Sequence, residues 1–447
     1  MQAVSIALIA LIALIAALLA RAQDRDARGA SSTIGRASNR SAWTLVHDGT
    51  RRGDMVPPGL SAEEWVAAAA MHARLPGPEA IDSSRQAHRS LAVTSDTADG
   101  DLLCHLYSAA TNKAKLTNWC GAKSGSSDYV NGPCTGTAGA WRGVTCTSGR
   151  VTRLDLNTVV QGGGSIPSQL GGLTGLTYLD LYFNQLTGSI PSSLGALTGL
   201  TELYLGGNSL TGSVPSSFGG LTGLTVVGLQ HSDLAGSIPS SLGGLTRLTI
   251  LALSGNSLSG SIPSSLGRLT GLTVLYLSSN ALTGSIPSSL GGLTALPNLN
   301  LELNSLTGSI PSSIGGLTGL TYLNLGSNSL TGSIASSLGA LTGLTSLYLF
   351  ENSLSGSIPS SLGGLTRLVA LDLDSNFLTG PVPVSFCSLK QYFTSLTVLS
   401  NPGLTCYPPC LSSYIYFRRD SSLSAYDYCT AGIPSSTMHV FSVIRMF

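Results

Sequence analysis

Charged side chains are scarce in this sequence. They make up 10% of the 447 residues, against roughly 25% in an average soluble protein, and only four lysines occur. The formal net charge is +1, so no extended basic surface is available to attract nucleic acid or an anionic membrane. The composition therefore excludes the function classes that depend on a strong electrostatic field.

Catalytic motifs are also absent. The six histidines are scattered at positions 47, 72, 88, 105, 231 and 439, and neither a G-x-S-x-G elbow nor an H-E-x-x-H helix occurs. The recurring G-G-L-T-G is no phosphate loop, because no G-x-x-x-x-G-K or G-x-G-x-x-G accompanies it. The sequence predicts a protein that is not an enzyme and that uses no cofactor and no metal ion.

What the sequence has instead is a repeat of 24 residues. The frame L-T-x-L-x-L-x-x-N-x-L-T-G-S-I-P-S-S-L-G-G-L-T-G has the period and the leucine spacing of a leucine-rich repeat. It predicts an α/β repeat solenoid, a right-handed superhelix of about ten coils with a parallel β-sheet on its concave face. The repeated asparagines are Asn184, Asn208, Asn256, Asn280, Asn304, Asn328, Asn352 and Asn376.

Each part of the repeat has a physical reason. In L-T-Y-L-D-L-Y-F-N, Leu179 and Leu181 share one side of a short strand, and the residues between them take the other. The asparagine that ends the strand can satisfy backbone groups of the turn, so stacked coils predict an asparagine ladder that weakens at Ser232, where the asparagine is missing. The segment S-S-L-G-G-L predicts a 3₁₀ or α turn capped by serine, and Pro191 before it suits a sheet edge.

Cysteine is absent from residues 147–386. Because a solenoid exposes an apolar cross-section at each end, four cysteines before the repeats and four after them predict one disulfide-stapled cap at each end. A metal site at Cys406-x-x-x-Cys410 is the alternative, disfavoured because no histidine lies nearby. The eight cysteines are Cys104, Cys120, Cys134, Cys146, Cys387, Cys406, Cys410 and Cys429.

The N-terminus carries an apolar run from Ala3 to Ala20. Its length and the A-R-A that ends at Ala22 predict a cleaved secretory signal, and hence a secreted, extracellular or cell-wall protein. The alternative is an uncleaved single-pass anchor over residues 3–20, because the run is long enough to span a bilayer and its arginines follow it.

Two segments resemble one protein family. C-T-G-T-A-G-A-W-R-G-V-T-C-T-S-G-R-V-T-R-L-D-L, from Cys134 to Leu156, resembles the N-terminal cap of plant-type leucine-rich-repeat proteins, and L-T-G-S-I-P-S-S-L-G-G-L resembles their repeat. Such repeats build the ectodomains of receptor-like kinases and receptor-like proteins and the polygalacturonase inhibitors. The sequence departs from the receptor kinases in lacking a kinase domain, and Ala335 replaces the repeat's proline.

The resemblance also implies details of the N-terminal cap. It implies that Cys134 pairs with Cys146 and Cys104 with Cys120, that Trp141 packs under the cap, and that D-L-L-C-H-L-Y-S-A-A-T-N forms the cap helix. The chain is thus divided into a signal peptide or anchor (1–22), a disordered spacer (23–90), an N-terminal cap (91–150), a solenoid (151–386), a C-terminal cap (387–430) and a flexible tail (431–447).

Outward strand positions are the candidate binding site, because the repeat varies most there. They are rich in tyrosine and carboxylates, which favours a protein, peptide or cell-wall glycan ligand. The residues predicted to bind are Tyr178, Asp180, Tyr182, Glu202, Tyr204, Tyr276, Asn298, Asn300, Glu302, Tyr322, Asn324, Tyr348, Phe350, Asp372 and Asp374.

Two alternatives to a ligand-binding face remain open. The outward tyrosines and acids can be solvated filler that strand pairing favours. The recurring hydroxyl column that starts at Thr187 and Thr211 could instead serve a structural or adhesive wall or matrix protein, or bind ice, although small polar residues there also permit tight stacking of the coils.

Overall fold

The computed structural model describes residues 44–45, 55–56, 99–106, 133–134, 141–160, 163–389, 391–411 and 427–428. The chain divides into two compact units, Met1–Ala87 and His88–Phe447. In the first unit, strand β1 (Thr44–Leu45) pairs antiparallel with strand β2 (Met55–Val56). The predicted signal segment, most of the predicted spacer and the predicted tail lie outside the described residues, so the proposed domain boundaries stay predictions.

A sheet of twelve strands dominates the second unit. It is parallel throughout except for its first strand, which pairs antiparallel with the second. Numbered in chain order, the strands are β3 (Val144–Thr147), β4 (Arg150–Asp155), β5 (Tyr178–Asp180), β7 (Glu202–Tyr204), β9 (Val226–Gly228), β11 (Ile250–Ala252), β13 (Val274–Tyr276), β15 (Asn298–Asn300), β17 (Tyr322–Asn324), β19 (Ser346–Tyr348), β21 (Ala370–Asp372) and β23 (Ser395–Thr397).

The alternation of leucine with outward residues creates this sheet and its core. Leu179 and Leu181 are both 0% exposed, and so are Leu371 and Leu373, which lie eight coils later in the same sheet. The buried leucines of all coils form one continuous hydrophobic core. The predicted repeat solenoid is therefore confirmed.

A second parallel sheet is formed by the L-T-G-S segments. Eight of its strands, from β10 to β24, are continuous, whereas β6 and β8 pair only with each other. The strands are β6 (Thr187–Ser189), β8 (Ser209–Thr211), β10 (Ala235–Ser237), β12 (Ser257–Ser261), β14 (Ala281–Ser285), β16 (Ser305–Gly308), β18 (Ser329–Ser333), β20 (Ser353–Ser357), β22 (Phe377–Gly380) and β24 (Gly403–Leu404).

Short 3₁₀ helices complete each coil, as the S-S-L-G-G-L segment predicts. A proline such as Pro191 directly precedes most of these helices, Ala335 takes its place in one coil, and no side chain caps either helix. They span Ser168–Gly172, Ser192–Ala196, Ser216–Gly220, Ser240–Gly244, Ser264–Arg268, Ser288–Gly292, Ser312–Gly316, Ser336–Ala340, Ser360–Gly364, Val384–Ser388 and Pro409–Leu411.

The predicted serine caps are wrong, because the serine hydroxyls bond between coils instead. The Ser193 hydroxyl donates to the carbonyl of Ser168 in the preceding coil, at 2.6 Å. The same bond recurs in each later coil, ending with Ser385 to Ser360 at 2.8 Å. These bonds form a ladder of serines along the solenoid.

The asparagine ladder is present as predicted. Asn304 Nδ2 lies 3.0 Å from the carbonyl of Leu277 in the preceding coil and 3.1 Å from that of Leu301 in its own coil. Its Oδ1 accepts the N–H of Leu282 at 3.0 Å. Asn401, which follows Asn376 after 25 residues rather than 24, extends the ladder by one coil beyond the prediction.

Ser232 interrupts the asparagine ladder. Its hydroxyl is buried and makes no hydrogen bond among the described residues. The break in the second sheet falls between β8 and β10, which flank this serine. A hydroxyl at this position cannot reach the backbone groups that an asparagine amide joins, as the sequence predicts.

A left-handed residue precedes each ladder position, which the sequence does not signal. Gly207 and Gly255 adopt positive φ there without cost, but so do Phe183 (φ 49°) and Leu303 (φ 54°). A side chain in this conformation costs free energy, and the ladder bonds that follow it hold the turn in place.

Disulfides close both caps. Cys134 pairs with Cys146 and Cys387 with Cys410, with Cα–Cα distances of 5.6 and 5.7 Å. Cys104 and Cys406 are disulfide-bonded as well, while Cys120 and Cys429 lie outside the described residues. The alternative metal site at Cys406 and Cys410 is wrong, because both sulfurs are oxidised.

The N-terminal cap packs against the first coil of the solenoid. Residues 99–106 are helical, and Trp141 is 1% exposed beneath the cap, as the resemblance implies. Asp99 is buried, accepts the N–H of Val151 at 2.8 Å and pairs with Arg150 Nε at 3.1 Å. This ion pair joins the helix to β4 and was not predicted.

At the other end, a last strand pair extends the C-terminal cap. Strand β25 (Cys406–Tyr407) pairs parallel with β26 (Asp427–Tyr428).

The ladder predicts an unequal cost for two substitutions in the same coil. Asn304→Ala removes side-chain bonds to four backbone groups, those of Leu277, Leu282, Leu301 and Glu302, and should lower the free energy of unfolding by roughly 1–3 kcal/mol. Ser312→Ala changes an exposed side chain and should cost less than about 0.5 kcal/mol. Thermal unfolding of the two variants measures the difference, and equal shifts would contradict the ladder.

Candidate ligand-binding face

The outward residues of the twelve-stranded sheet form rows across neighbouring strands. One row joins Asp155, Asp180, Tyr204 and Gly228 as successive Cα partners. Further along the same row, Tyr348 is followed by Asp372 and Thr397. We call the outward positions of these strands, with the residues that follow each strand up to the turn, the concave strip.

A cluster of aromatic and charged side chains occupies the N-terminal end of the concave strip. The Arg153 guanidinium carbon lies 3.3 Å from the centroid of the Tyr178 ring. Arg153 also pairs with Asp155 at 3.1 Å. The rings of Tyr178 and Tyr204 lie 5.7 Å apart between centroids. We call these residues, together with Asp180 and Tyr182, the N-terminal cluster.

Asp180 is the buried centre of the N-terminal cluster. It is 1% exposed, accepts the Tyr182 N–H at 2.8 Å and accepts the Tyr178 hydroxyl at 3.2 Å. Burial raises the pKa of this carboxyl from 3.8 to about 7, because desolvation penalises the charged form more than these hydrogen bonds stabilise it. Burial also raises the pKa of Tyr182 to about 12.

Glu202 and Gln230 extend these contacts to the next strands. The Tyr204 hydroxyl donates to Glu202 at 2.8 Å, and Gln230 Nε2 donates to the Tyr182 hydroxyl at 3.2 Å. Tyr178, Tyr182 and Tyr204 are each less than 5% exposed. These predicted ligand contacts are therefore engaged mainly with one another.

Small residues follow in the middle of the concave strip. Val226, Ala252 and Ser254 are buried, and Gly228 carries no side chain. Tyr276, the next aromatic residue in the row, is half-buried. This stretch separates the N-terminal cluster from the polar and aromatic residues beyond it.

The C-terminal half of the concave strip is more open. Tyr322, Tyr348 and Phe350 are half-buried, and the two tyrosine rings lie 5.6 Å apart between centroids. Asn324 Nδ2 donates to Glu302 at 2.8 Å. Tyr322, Tyr348 and Phe350 thus present surface that a partner can contact, whereas the predicted site residue Asn324 is only 3% exposed.

Asparagine and aspartate recur in one row of the concave strip for a local structural reason. The Oδ1 atoms of Asp180, Asn300, Asn324 and Asp372 each accept the backbone N–H two residues further on, at 2.8–3.0 Å. Each such bond ends a strand in the way an Asx turn does. These residues are thus partly structural, as the filler alternative expects. The second carboxylate oxygen of each aspartate, or the amide nitrogen of each asparagine, remains for other contacts.

Several acceptors on the concave strip have no donor within the described structure. They are buried oxygens of half-buried or buried side chains, and leaving such a group unpaired is costly. The atoms are Gln230 Oε1, Asn298 Oδ1, Asp374 Oδ1 and Thr397 Oγ1.

Apart from Arg153, the basic residues of the repeats lie away from the concave strip. In the described part of the repeats they are Arg247, Arg268 and Arg367, all exposed. No group of three His, Cys, Asp or Glu side chains among the described residues could hold a metal ion. Nor does any described helix have the length and apolarity to cross a membrane.

Family models identify the coils. A model described as leucine rich repeat matches residues 198–378 in six overlapping windows, and another of the same description matches residues 175–197. The solenoid is a leucine-rich-repeat domain. Its N-terminal cap and disulfides accord with the resemblance to plant-type proteins.

Plant receptor ectodomains have similar structures. A TDR receptor is 35% identical with a TM-score of 0.52, over 57% of this chain and 46% of that one. The ectodomain of the Arabidopsis receptor kinase HAESA, in complex with an IDA peptide hormone ligand, is 33% identical with a TM-score of 0.52, over 70% and 57%. This chain thus spans about half the length of these receptors.

A plant ice-binding protein is similar as well. It is 28% identical with a TM-score of 0.53, over 69% of this chain and 94% of that one. The leucine-rich-repeat solenoid of this chain therefore resembles proteins with different functions, and the choice between these functions depends on its own surface.

The buried carboxyl of Asp180 predicts a pH-dependent stability. A pKa raised from 3.8 to about 7 means that the folded state holds the proton more tightly than the unfolded state. The group therefore lowers stability as pH rises through this window, by an amount on the order of a few kcal/mol. The melting temperature of Asp180→Asn minus that of wild type should therefore be more positive at pH 8 than at pH 4.

Calorimetry at several pH values measures this difference between Asp180→Asn and wild type. Asp233→Asn, a matched change at an exposed position off the concave strip, should follow wild type throughout. A constant difference between Asp180→Asn and wild type from pH 4 to pH 8 would show that Asp180 does not titrate in this window.

Proposed function

We propose that this chain is a non-catalytic extracellular recognition protein that binds a protein or peptide ligand along the C-terminal half of the concave strip. The observation that carries the proposal is the contrast between fixed and variable positions. Serine, threonine, glycine and leucine recur almost unchanged around each coil, whereas Glu302, Tyr322, Tyr348, Phe350 and Asp372 differ from coil to coil and are half-buried.

The chemistry of this surface supports a protein or peptide ligand over a glycan. Tyrosine and phenylalanine give large contact areas at low entropic cost. The neighbouring carboxylates favour a partner of opposite charge, and the strip's buried acceptors favour one that supplies N–H donors. An extended peptide meets each of these requirements.

Two further observations support recognition outside the cell. The similar HAESA ectodomain was solved with a bound peptide hormone ligand. The described disulfides are typical of secreted proteins, and the apolar run at residues 3–20 fits a signal segment. We propose that this run is a cleaved secretory signal; the alternative is an uncleaved membrane anchor.

The aromatic pair at the C-terminal half should control binding. Tyr348→Ala with Phe350→Ala should abolish detectable binding to a secreted-peptide library, because truncating central aromatic contacts typically costs about 2 kcal/mol or more each. Arg247→Ala with Arg367→Ala is the control, since both arginines are exposed away from the strip. Retention of library peptides on the immobilised protein is the measurement.

Both pairs of substitutions should leave the leucine core intact, so secretion yield and melting temperature should match wild type. If the arginine pair abolishes binding while the aromatic pair preserves it, the recognition surface lies on another face of the solenoid.

A second candidate function is structural or adhesive contact with a periodic surface such as ice. The second sheet repeats exposed hydroxyls from strand to strand, as at Thr283, Thr307 and Thr331, without a charged side chain. The similarity to a plant ice-binding protein over most of that protein's length also favours this candidate.

Ice binding predicts thermal hysteresis in solutions of the purified protein. Thr307→Lys places a long charged side chain on the exposed sheet and should remove most of that activity by preventing flat contact. The Tyr348→Ala and Phe350→Ala pair, on the other face, should not change it. An absence of hysteresis and of ice-recrystallisation inhibition in the wild-type protein would remove this candidate.

A further inference from the structure

The two ends of the concave strip have similar groups but different charge balance. At the N-terminal end, Tyr178 and Asp155 share one cation, because Arg153 stacks 3.3 Å from the ring centroid and pairs with the carboxylate at 3.1 Å. At the C-terminal end, Tyr348 lies beside Asp372 in the sheet, with Asp374 two residues further on. No lysine or arginine among the described residues lies on this part of the strip.

The acids at the C-terminal end retain unused acceptor capacity. Asp372 uses Oδ1 to accept the N–H of Asp374 at 3.0 Å. Asp374 uses Oδ2 to accept the Ser375 hydroxyl at 3.1 Å, and its Oδ1 is buried without a partner. Thr397, the lateral neighbour of Asp372, has a buried hydroxyl that is equally unpaired.

The surroundings also lack a counter-charge. Burial, with Asp372 and Glu351 nearby, raises the pKa of Asp374 above its usual range, and the Ser375 hydroxyl only partly opposes this shift. Glu351 itself accepts the hydroxyl of Ser327 at 2.8 Å. Three carboxylates thus lie in one region without a resident cation.

Aromatic residues lie on and just after β19, the strand next to the one that carries Asp372. Tyr348 pairs with Tyr322 at 5.6 Å between ring centroids. Phe350 lies over the backbone of Gly326, where an added Cβ would come within 2.5 Å of its ring. A guanidinium that stacks on an aromatic face while its N–H groups reach carboxylates is the arrangement that Arg153 already shows.

We propose that Tyr348, Phe350, Asp372, Asp374 and Thr397 form a subsite for one arginine side chain of the ligand. The guanidinium takes the place at this end that Arg153 holds at the other, donating to Asp372, Asp374 and the Thr397 hydroxyl. The inference rests on the proposed function and names one chemical requirement of that ligand.

A positional-scanning peptide library tests the subsite. The pools are N-acetylated, C-amidated octapeptides with one fixed position occupied by arginine, its neutral isostere citrulline, lysine or glutamate. The wild-type full chain should retain arginine pools about tenfold more tightly than citrulline pools at about 0.15 M salt, where distant charges are screened. Asp374→Asn should reduce that preference to less than about twofold.

Asp233→Asn is the matched control, because it removes one charge at an exposed position off the strip. It should keep the arginine preference, and melting temperatures should show that both variants are folded. Equal loss of preference in Asp233→Asn would show a long-range charge effect and overturn the subsite.

The remaining outcomes separate the subsite from the proposed function. If the wild-type chain retains peptides but does not distinguish arginine from citrulline, the subsite is wrong and peptide recognition stands. If the preference survives in Asp374→Asn and in Asp372→Asn, the arginine is bound elsewhere. If no pool is retained by the wild-type chain, the proposed peptide-binding function fails together with the subsite.

Discussion

Stacking of each coil on the next is the constraint from which the rest of this structure follows. A coil of 24 residues is too small to bury its own leucines, so its core exists only between neighbours. Asparagine, serine and threonine side chains then join successive coils, as in Asn304 to Leu277, Ser193 to Ser168 and Thr201 to Thr177. The asparagine bond satisfies a Leu277 carbonyl to which no described backbone N–H donates, whereas the Thr177 carbonyl also accepts the N–H of Thr201. Together these side-chain bonds explain why so few positions vary.

The fold was predictable because the stacking constraint leaves a period in the sequence. The asparagine column, the leucine alternation and the cysteine-free span each follow from it. The serine ladder was not predictable, since serine before a short helix is usually read as a cap. The left-handed conformations of Phe183 and Leu303 were also hidden, because only two coils have the glycine that would signal them.

The candidate site was less predictable than the fold. Strand alternation places Tyr178, Asp180 and Tyr348 on the same face, but it does not say which of them are buried. Packing across strands decides that, because Arg153 and Tyr204 contact the Tyr178 ring, and the Tyr178 hydroxyl donates to Asp180. In addition, Asp180, Asn300, Asn324 and Asp372 each use one oxygen to accept a backbone N–H of the following turn. Residue type alone therefore overstates how many polar atoms are left for a ligand.

Charge balance along the concave strip gives these differences a functional meaning. At the N-terminal end the sequence supplies its own cation, Arg153, and the tyrosines there are buried. At the C-terminal end Asp374 Oδ1 and the Thr397 hydroxyl are buried without a partner among the described residues, on strands next to half-buried Tyr348. Unpaired buried acceptors are costly, and the stacking of the coils does not require them. A partner that donates hydrogen bonds to these oxygens explains why they lie on this face.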